Sequence, residues 1–93
     1  MNFNDLAVRV HSEQDMKDVL NYARGQGLNI TADWEGMLVR YIREYPWYLL
    51  WDRWGDNEPY QERDPDECSE LIDSKSLLNG LRPFNPSKHR LLL

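Results

Sequence analysis

Trp34-Glu35-Gly36-Met37-Leu38-Val39-Arg40-Tyr41-Ile42-Arg43-Glu44-Tyr45-Pro46-Trp47-Tyr48-Leu49-Leu50-Trp51 changes its hydrophobic period at Pro46. Before the proline, Trp34, Met37, Leu38, Tyr41, Ile42 and Tyr45 recur three and four residues apart, the spacing of one face of a helix. Thr31 or Asp33 can cap that helix, and it is expected to run to Tyr45. Pro46 lacks the amide to continue a helix and disfavours helical geometry in the residue before it. After the proline, Trp47 to Trp51 is apolar on both faces and rich in aromatic residues, which predicts a central strand covered on at least one side. A helix feeding directly into such a strand argues for an α/β protein.

On the N-terminal side, Leu6, Val8 and Val10 alternate with smaller or charged residues and predict a strand with one face buried. Ser12 can cap a helix from Glu13 to Arg24, whose stripe is Met16, Val19, Leu20 and Ala23. Gly25 and Gly27 supply the backbone freedom to end it. On the C-terminal side, Gly55 to Arg63 reads as a polar loop. Asp64-Pro65-Asp66-Glu67 is a helix-start pattern, with Asp at the cap, Pro at the first position and Glu at the third. The third helix so predicted buries Cys68, Leu71, Ile72 and Leu78 and ends at Asn79-Gly80. His89 to Leu93 is expected to form a short last strand. The order β-α-α-β-α-β predicts a small two-layer α/β fold, a short parallel sheet with helices packed on it, in a single domain over residues 1–93.

Composition narrows the function. With 41% hydrophobic residues and 12% aromatic, the chain can build a core, which excludes collagen-like and wholly disordered classes. The single cysteine, Cys68, excludes an internal disulfide and a Cys-rich zinc module, and points to a reducing cytoplasm. The longest apolar run, Trp47 to Trp51, is far short of the ~20 residues that span a bilayer. The N-terminus has no basic stretch leading into an apolar one, so no signal peptide is expected.

Catalytic equipment is missing from the pattern. His11 and His89 have no carboxylate or cysteine at metal-ligand spacing. There is no glycine-rich phosphate loop, nucleophile elbow or paired-histidine helix. Asp64 with Asp66, and Asp56 with Glu58, lack the spacing and glycine of a calcium loop. The expectation is a protein that is not an enzyme and needs no metal or cofactor.

Charge is the positive signal. The net charge is −5, but Asp52 to Asp73 holds nine acids and two bases, a local balance of −7, while Ser74 to Leu93 holds four bases and no acid. Such a surface repels phosphate backbones and suits a basic protein partner.

Asp33-Trp34-Glu35-Gly36-Met37-Leu38, followed by the aromatic strand Pro46 to Trp51, resembles the signature segment of the barstar-like family, which reads approximately Asn, Leu or Trp, Asp, Ala, Leu, Trp. Barstar-like proteins are intracellular inhibitors of small basic ribonucleases. The resemblance implies that the second helix and the loop before it insert carboxylates into a cationic nuclease site in place of substrate phosphates. Glu35 matches the family's first helix acid and Asp33 its Asn. Glu67, Glu70 and Asp73 on the later helix would support them. The family's second helix acid falls on Val39, and the aromatic and glycine of its loop fall on Asn29 and Thr31. The partner expected is therefore a basic nuclease or nucleic-acid-binding complex, with no direct contact to nucleic acid or membrane. Two other classes compete: a phage-encoded inhibitor of host defence, anti-CRISPR-like, that uses the acidic segment 52–73 as a nucleic-acid mimic, and a non-catalytic interaction subunit that docks through Trp54, Tyr60 or Leu91 to Leu93.

Overall fold

Strand β1 (Leu6–Val10) is the axis of the molecule, a computed structural model that describes residues 3–53, 57–65 and 70–79. The alternation of β1 places Leu6, Val8 and Val10 on one face, all fully buried. Asp5, in the left-handed region at φ 59°, turns the chain into β1. Asp tolerates that conformation better than most residues. Its amide donates to the Asp52 carbonyl at 3.1 Å and its carbonyl accepts from the Glu70 amide at 2.8 Å, so this turn joins β1 to both its neighbours.

Helix α1 (Glu13–Gly25) starts where expected, with the Ser12 hydroxyl accepting from the Asp15 amide, and buries Met16, Val19, Leu20 and Ala23. Gly27 closes it: its φ of +100° lets Leu28 donate back to the Ala23 carbonyl at 3.1 Å. Of the two expected caps for helix α2 (Ala32–Tyr41), Thr31 is the one used, accepting from the Trp34 amide. The helix ends four residues before the expected Tyr45. The register sets that limit: β2 (Trp47–Trp51) must begin opposite Val10, and residues 42–46 are needed to turn from helix to sheet. Ile42 is extended and buried, and Tyr45 packs against the core from the turn.

The sheet is mixed, not parallel. Its order is β3-β2-β1-β4, with β3 at Tyr60–Glu62 and β4 at Glu70–Asp73; only β1 and β4 run parallel. Two consecutive helices explain this, because each reverses the chain once. The pair therefore returns it to the end where β1 finished, and β2 runs the other way. The expected polar loop 55–63 contains β3, which pairs antiparallel with β2.

The second correction is the acidic helix. Residues 70–73 are strand β4, and helix α3 is the short Ser74–Leu78, capped by Asp73. Burial alternates along β4: Leu71 is 50% exposed and Ile72 only 7%. Pairing of Ile72 beside Val8 outweighs the local helix-start pattern upstream. Glu67 and Cys68 of the predicted helix, the docking candidate Trp54 and the predicted strand His89 to Leu93 lie outside the described residues.

One face of the sheet holds the core. Leu6, Val8, Val10, Leu49, Trp51 and Ile72 pack against Met16, Leu20 and Ala23 of α1, Leu38 of α2 and Leu77 of α3. The molecule is thus an α/β fold with a four-stranded mixed sheet and three helices among the described residues. None of these helices is long and apolar enough to cross a membrane.

Candidate functional site

The expected carboxylates do not form one surface. Asp33 stands exposed in the first turn of α2 with no hydrogen-bond or ion-pair partner among the described residues. Glu35, two residues on, is half-buried and accepts from Arg24 Nη1 at 2.8 Å. Arg24 also donates to the Ile30 carbonyl at 2.9 Å and to Asn21 at 2.8 Å, so the Arg24–Glu35 pair fastens the end of α1 to the start of α2. Its charges neutralise each other inside the chain.

Asp73 and Glu70 lie elsewhere, on strand β4. Asp73 Oδ1 pairs with His11 Nε2 at 2.6 Å, and Oδ2 accepts from the Lys75 amide at 3.0 Å. Beside it, Asp15 Oδ2 accepts from the Ser74 hydroxyl at 2.5 Å and from the His11 amide at 2.8 Å. This network ties the ends of β1 and β4 to the first turn of α1. Nine residues of α1, about 13 Å of helix, separate Asp15 from Arg24. Asp73 and Glu35 are therefore tied to opposite ends of α1, while Glu70 lies at the other end of β4, opposite Leu6.

Burial alone would raise the Asp73 carboxyl, but the hydrogen bonds from His11 and the Lys75 amide, with the charges of His11 and Arg9, outweigh it and hold it below its ordinary value of 3.8. A carboxylate depressed in the folded state adds stability above its unfolded value, and that stability is lost as pH falls through the folded one. The expected result is an acid slope in stability below about pH 4 that is shallower in Asp73→Asn. Urea midpoints at successive pH values test this, and equal slopes would remove Asp73 from the acid response. Tyr45 moves the other way: burial, then Glu13, raises its phenol, whose oxygen is buried without a partner among the described residues.

A different set of side chains gathers at the loop before α2 and its first turn. Glu58 Oε2 accepts from the Thr31 amide at 3.0 Å and the Thr31 hydroxyl at 2.9 Å, and Asn57 Oδ1 accepts from the Asn29 amide at 3.0 Å. The Trp34 indole N–H donates to the Pro59 carbonyl at 2.6 Å. Residues 57–59 are thereby stitched to the loop and first turn of α2. Two adjoining depressions flank this seam. One, of about 370 Å³, is polar and includes Asn29, Thr31 and Glu58. The other, of about 360 Å³, is mostly apolar and is lined by Trp34, Met37, Tyr41, Tyr60 and Gln61. Both share Trp34 and Tyr60, whose rings meet edge to face with centroids 6.3 Å apart.

No family model, curated protein or solved structure matches this chain. The site rests on its own geometry. Among the described residues no group of three or more His, Cys, Asp or Glu is placed to hold a metal ion.

Within α2, Tyr41 is a residue that the pattern misplaces. It is assigned to the buried stripe, yet it is 64% exposed. Leu38 and Ile42 fill the core side of α2, and six apolar positions make a stripe wider than one packing contact. Tyr60, one of the sequence's docking candidates, is 44% exposed at the sheet edge. Glu58 has no local signal that marks it, because its partner Thr31 lies 27 residues away.

Proposed function

We propose that this chain is a non-catalytic inhibitor that covers the cationic site of a basic partner, a nuclease or nucleic-acid-binding protein, with the side of the molecule formed by α2 and β3. The observation that carries this reading is Asp33, an exposed carboxylate with no partner among the described residues, in the first turn of the helix that also exposes the ring of Tyr41. Exposed tyrosines are among the usual anchors of an interface hot spot, and a rim carboxylate steers a basic partner toward them. The resemblance of Asp33 to Leu38 to the barstar-like signature supports a ribonuclease as the partner and a cytoplasmic site of action. Glu35 then acts from within, by fixing α2 on α1 through Arg24, and Asp33 meets the partner. The competing use of the acidic segment 52–73 as a nucleic-acid mimic has less support, since both oxygens of Asp73 are already engaged within the chain, by His11 and by the Lys75 amide.

Calorimetry against a panel of purified basic ribonucleases, at about 50 and 300 mM salt, tests the reading. Binding is expected to weaken at the higher salt, and Asp33→Lys to weaken it at least about tenfold, or ~1.4 kcal/mol. Glu35→Gln should lower the stability of the free protein more than its affinity. Salt-independent binding, or full affinity in Asp33→Lys, would overturn the assignment.

A further inference from the structure

We propose that the groove between α2 and β3 is a receptor for one arginine side chain of the protein partner. This inference rests on the function proposed above and specifies the chemistry of its contact.

The groove is built for a flat cation rather than for an aliphatic side chain. Trp34, Met37 and Tyr41 follow one another along α2 at i, i+3 and i+7, and Tyr60 faces them from the edge of the sheet. The ring of Trp34 is held in place by its bond to the Pro59 carbonyl and by its edge contact with Tyr60, so the aromatic platform exists before any ligand arrives. Aromatic faces attract cations, and a planar, weakly hydrated guanidinium stacks on them better than a lysine ammonium does.

Charge gives the groove a direction. Glu58 stands at its α2 N-terminal end, lining the polar depression that opens beside Trp34, and Asp33 adds a second negative charge in the first turn of that helix. Glu58 uses only Oε2 to hold Thr31, and its Oε1 carries no bond among the described residues. The one basic residue in the last turn of α2, Arg40, is seven residues from Asp33, about 10 Å along the helix. The helix N-terminus itself contributes about half a positive charge, which two carboxylates outweigh. An arginine entering over Met37 and Tyr41 would therefore bring its guanidinium to Trp34 and Tyr60, on the side where Glu58 lines the adjoining depression.

End-blocked Gly-Arg-Gly is the probe, with the citrulline and lysine tripeptides as controls, titrated against the full chain labelled with 15N. The Trp34 indole resonance, assigned by Trp34→Phe, and the amides of Thr31 and Gln61 are expected to move with the arginine peptide. Citrulline, which keeps the shape and loses the charge, should bind at least about tenfold more weakly, and lysine should fall between. Tyr41→Ala and Tyr60→Ala should each weaken arginine binding about two- to fivefold, the range for exposed cation–π contacts. Both side chains are exposed, so these variants should keep the spectrum of a folded protein. The proposal falls if citrulline binds as well as arginine, if the shifts map elsewhere, or if the two tyrosine variants bind arginine normally. It also falls if light scattering shows a dimer that Tyr41→Ala dissolves, because the occupant is then a second copy of this chain. Loss of ribonuclease binding in Asp33→Lys together with normal binding in both tyrosine variants would remove the groove and leave the inhibitor reading standing. Arginine capture in the groove with no affinity for any basic ribonuclease would do the reverse.

Discussion

Trp51→Ala is expected to lower folding stability by about 3–5 kcal/mol, the range for truncating a buried aromatic side chain. Trp51 is fully buried, pairs across the sheet with Leu6 and packs on Phe3 with ring centroids 4.8 Å apart. Its indole N–H also donates to the Asn57 carbonyl at 2.9 Å. The substitution thus opens a cavity between the two longest strands and releases the segment that carries Glu58 and Pro59. Small domains have about 5–15 kcal/mol in total, so this one substitution removes a large fraction of the stability. Trp51→Phe separates the two effects, since it keeps most of the apolar volume and loses only the donor. Urea titrations followed by circular dichroism give the comparison. A Trp51→Ala midpoint close to that of the parent protein would show that the core is not organised around this ring.

Asp15→Ala is expected to cost about 2–3 kcal/mol, chiefly because it strands a buried hydroxyl. Ser74 is fully buried, and its hydroxyl donates to Asp15 Oδ2, the same oxygen that takes the His11 amide. Hydrogen bonds to a carboxylate contribute about 1.5–3 kcal/mol, more than neutral ones. Asp15 also places negative charge in the first turn of α1, worth up to about 1 kcal/mol at such a helix end. Asp15→Asn keeps an acceptor at that point and is expected to lose about 1 kcal/mol, the charge-dependent share. Equal losses in the two variants would show that the charge, rather than the buried bond, is what Asp15 supplies.

These two networks explain where sequence patterns succeed and where they stop. Strand β1 and helix α1 were legible because every signal in them is local: alternation in Leu6 to Val10, the Ser12 cap and the four-residue stripe. The strand after Pro46 was legible for the same reason. Helix α2 was placed, but its end was not, because the register between Val10 and Trp47 fixes the length of the turn that follows. Strand β4 was hidden because Asp64-Pro65-Asp66-Glu67 is a sound local start signal, whereas what makes the strand is the match of Ile72 to Val8, 64 residues apart.

The candidate site divides in the same way. Asp33 and Glu35 are marked as acids of the first turn of α2 by their sequence positions, but only Glu35 is paired, with Arg24, which arrives from another helix. Asp73 was named as a partner acid, yet His11 engages it across the sheet. The amino-acid order by itself determined the α/β class, the first two helices and the acidic character of the surface, since these depend on neighbours within a few turns. The direction of the sheet strands, the identity of the unpaired carboxylate and the groove between Trp34 and Tyr60 were decided only by tertiary structure. Each requires groups far apart in the chain to meet, and a hydrogen bond or a buried ring contact depends on position in space, which short-range periodicity does not encode.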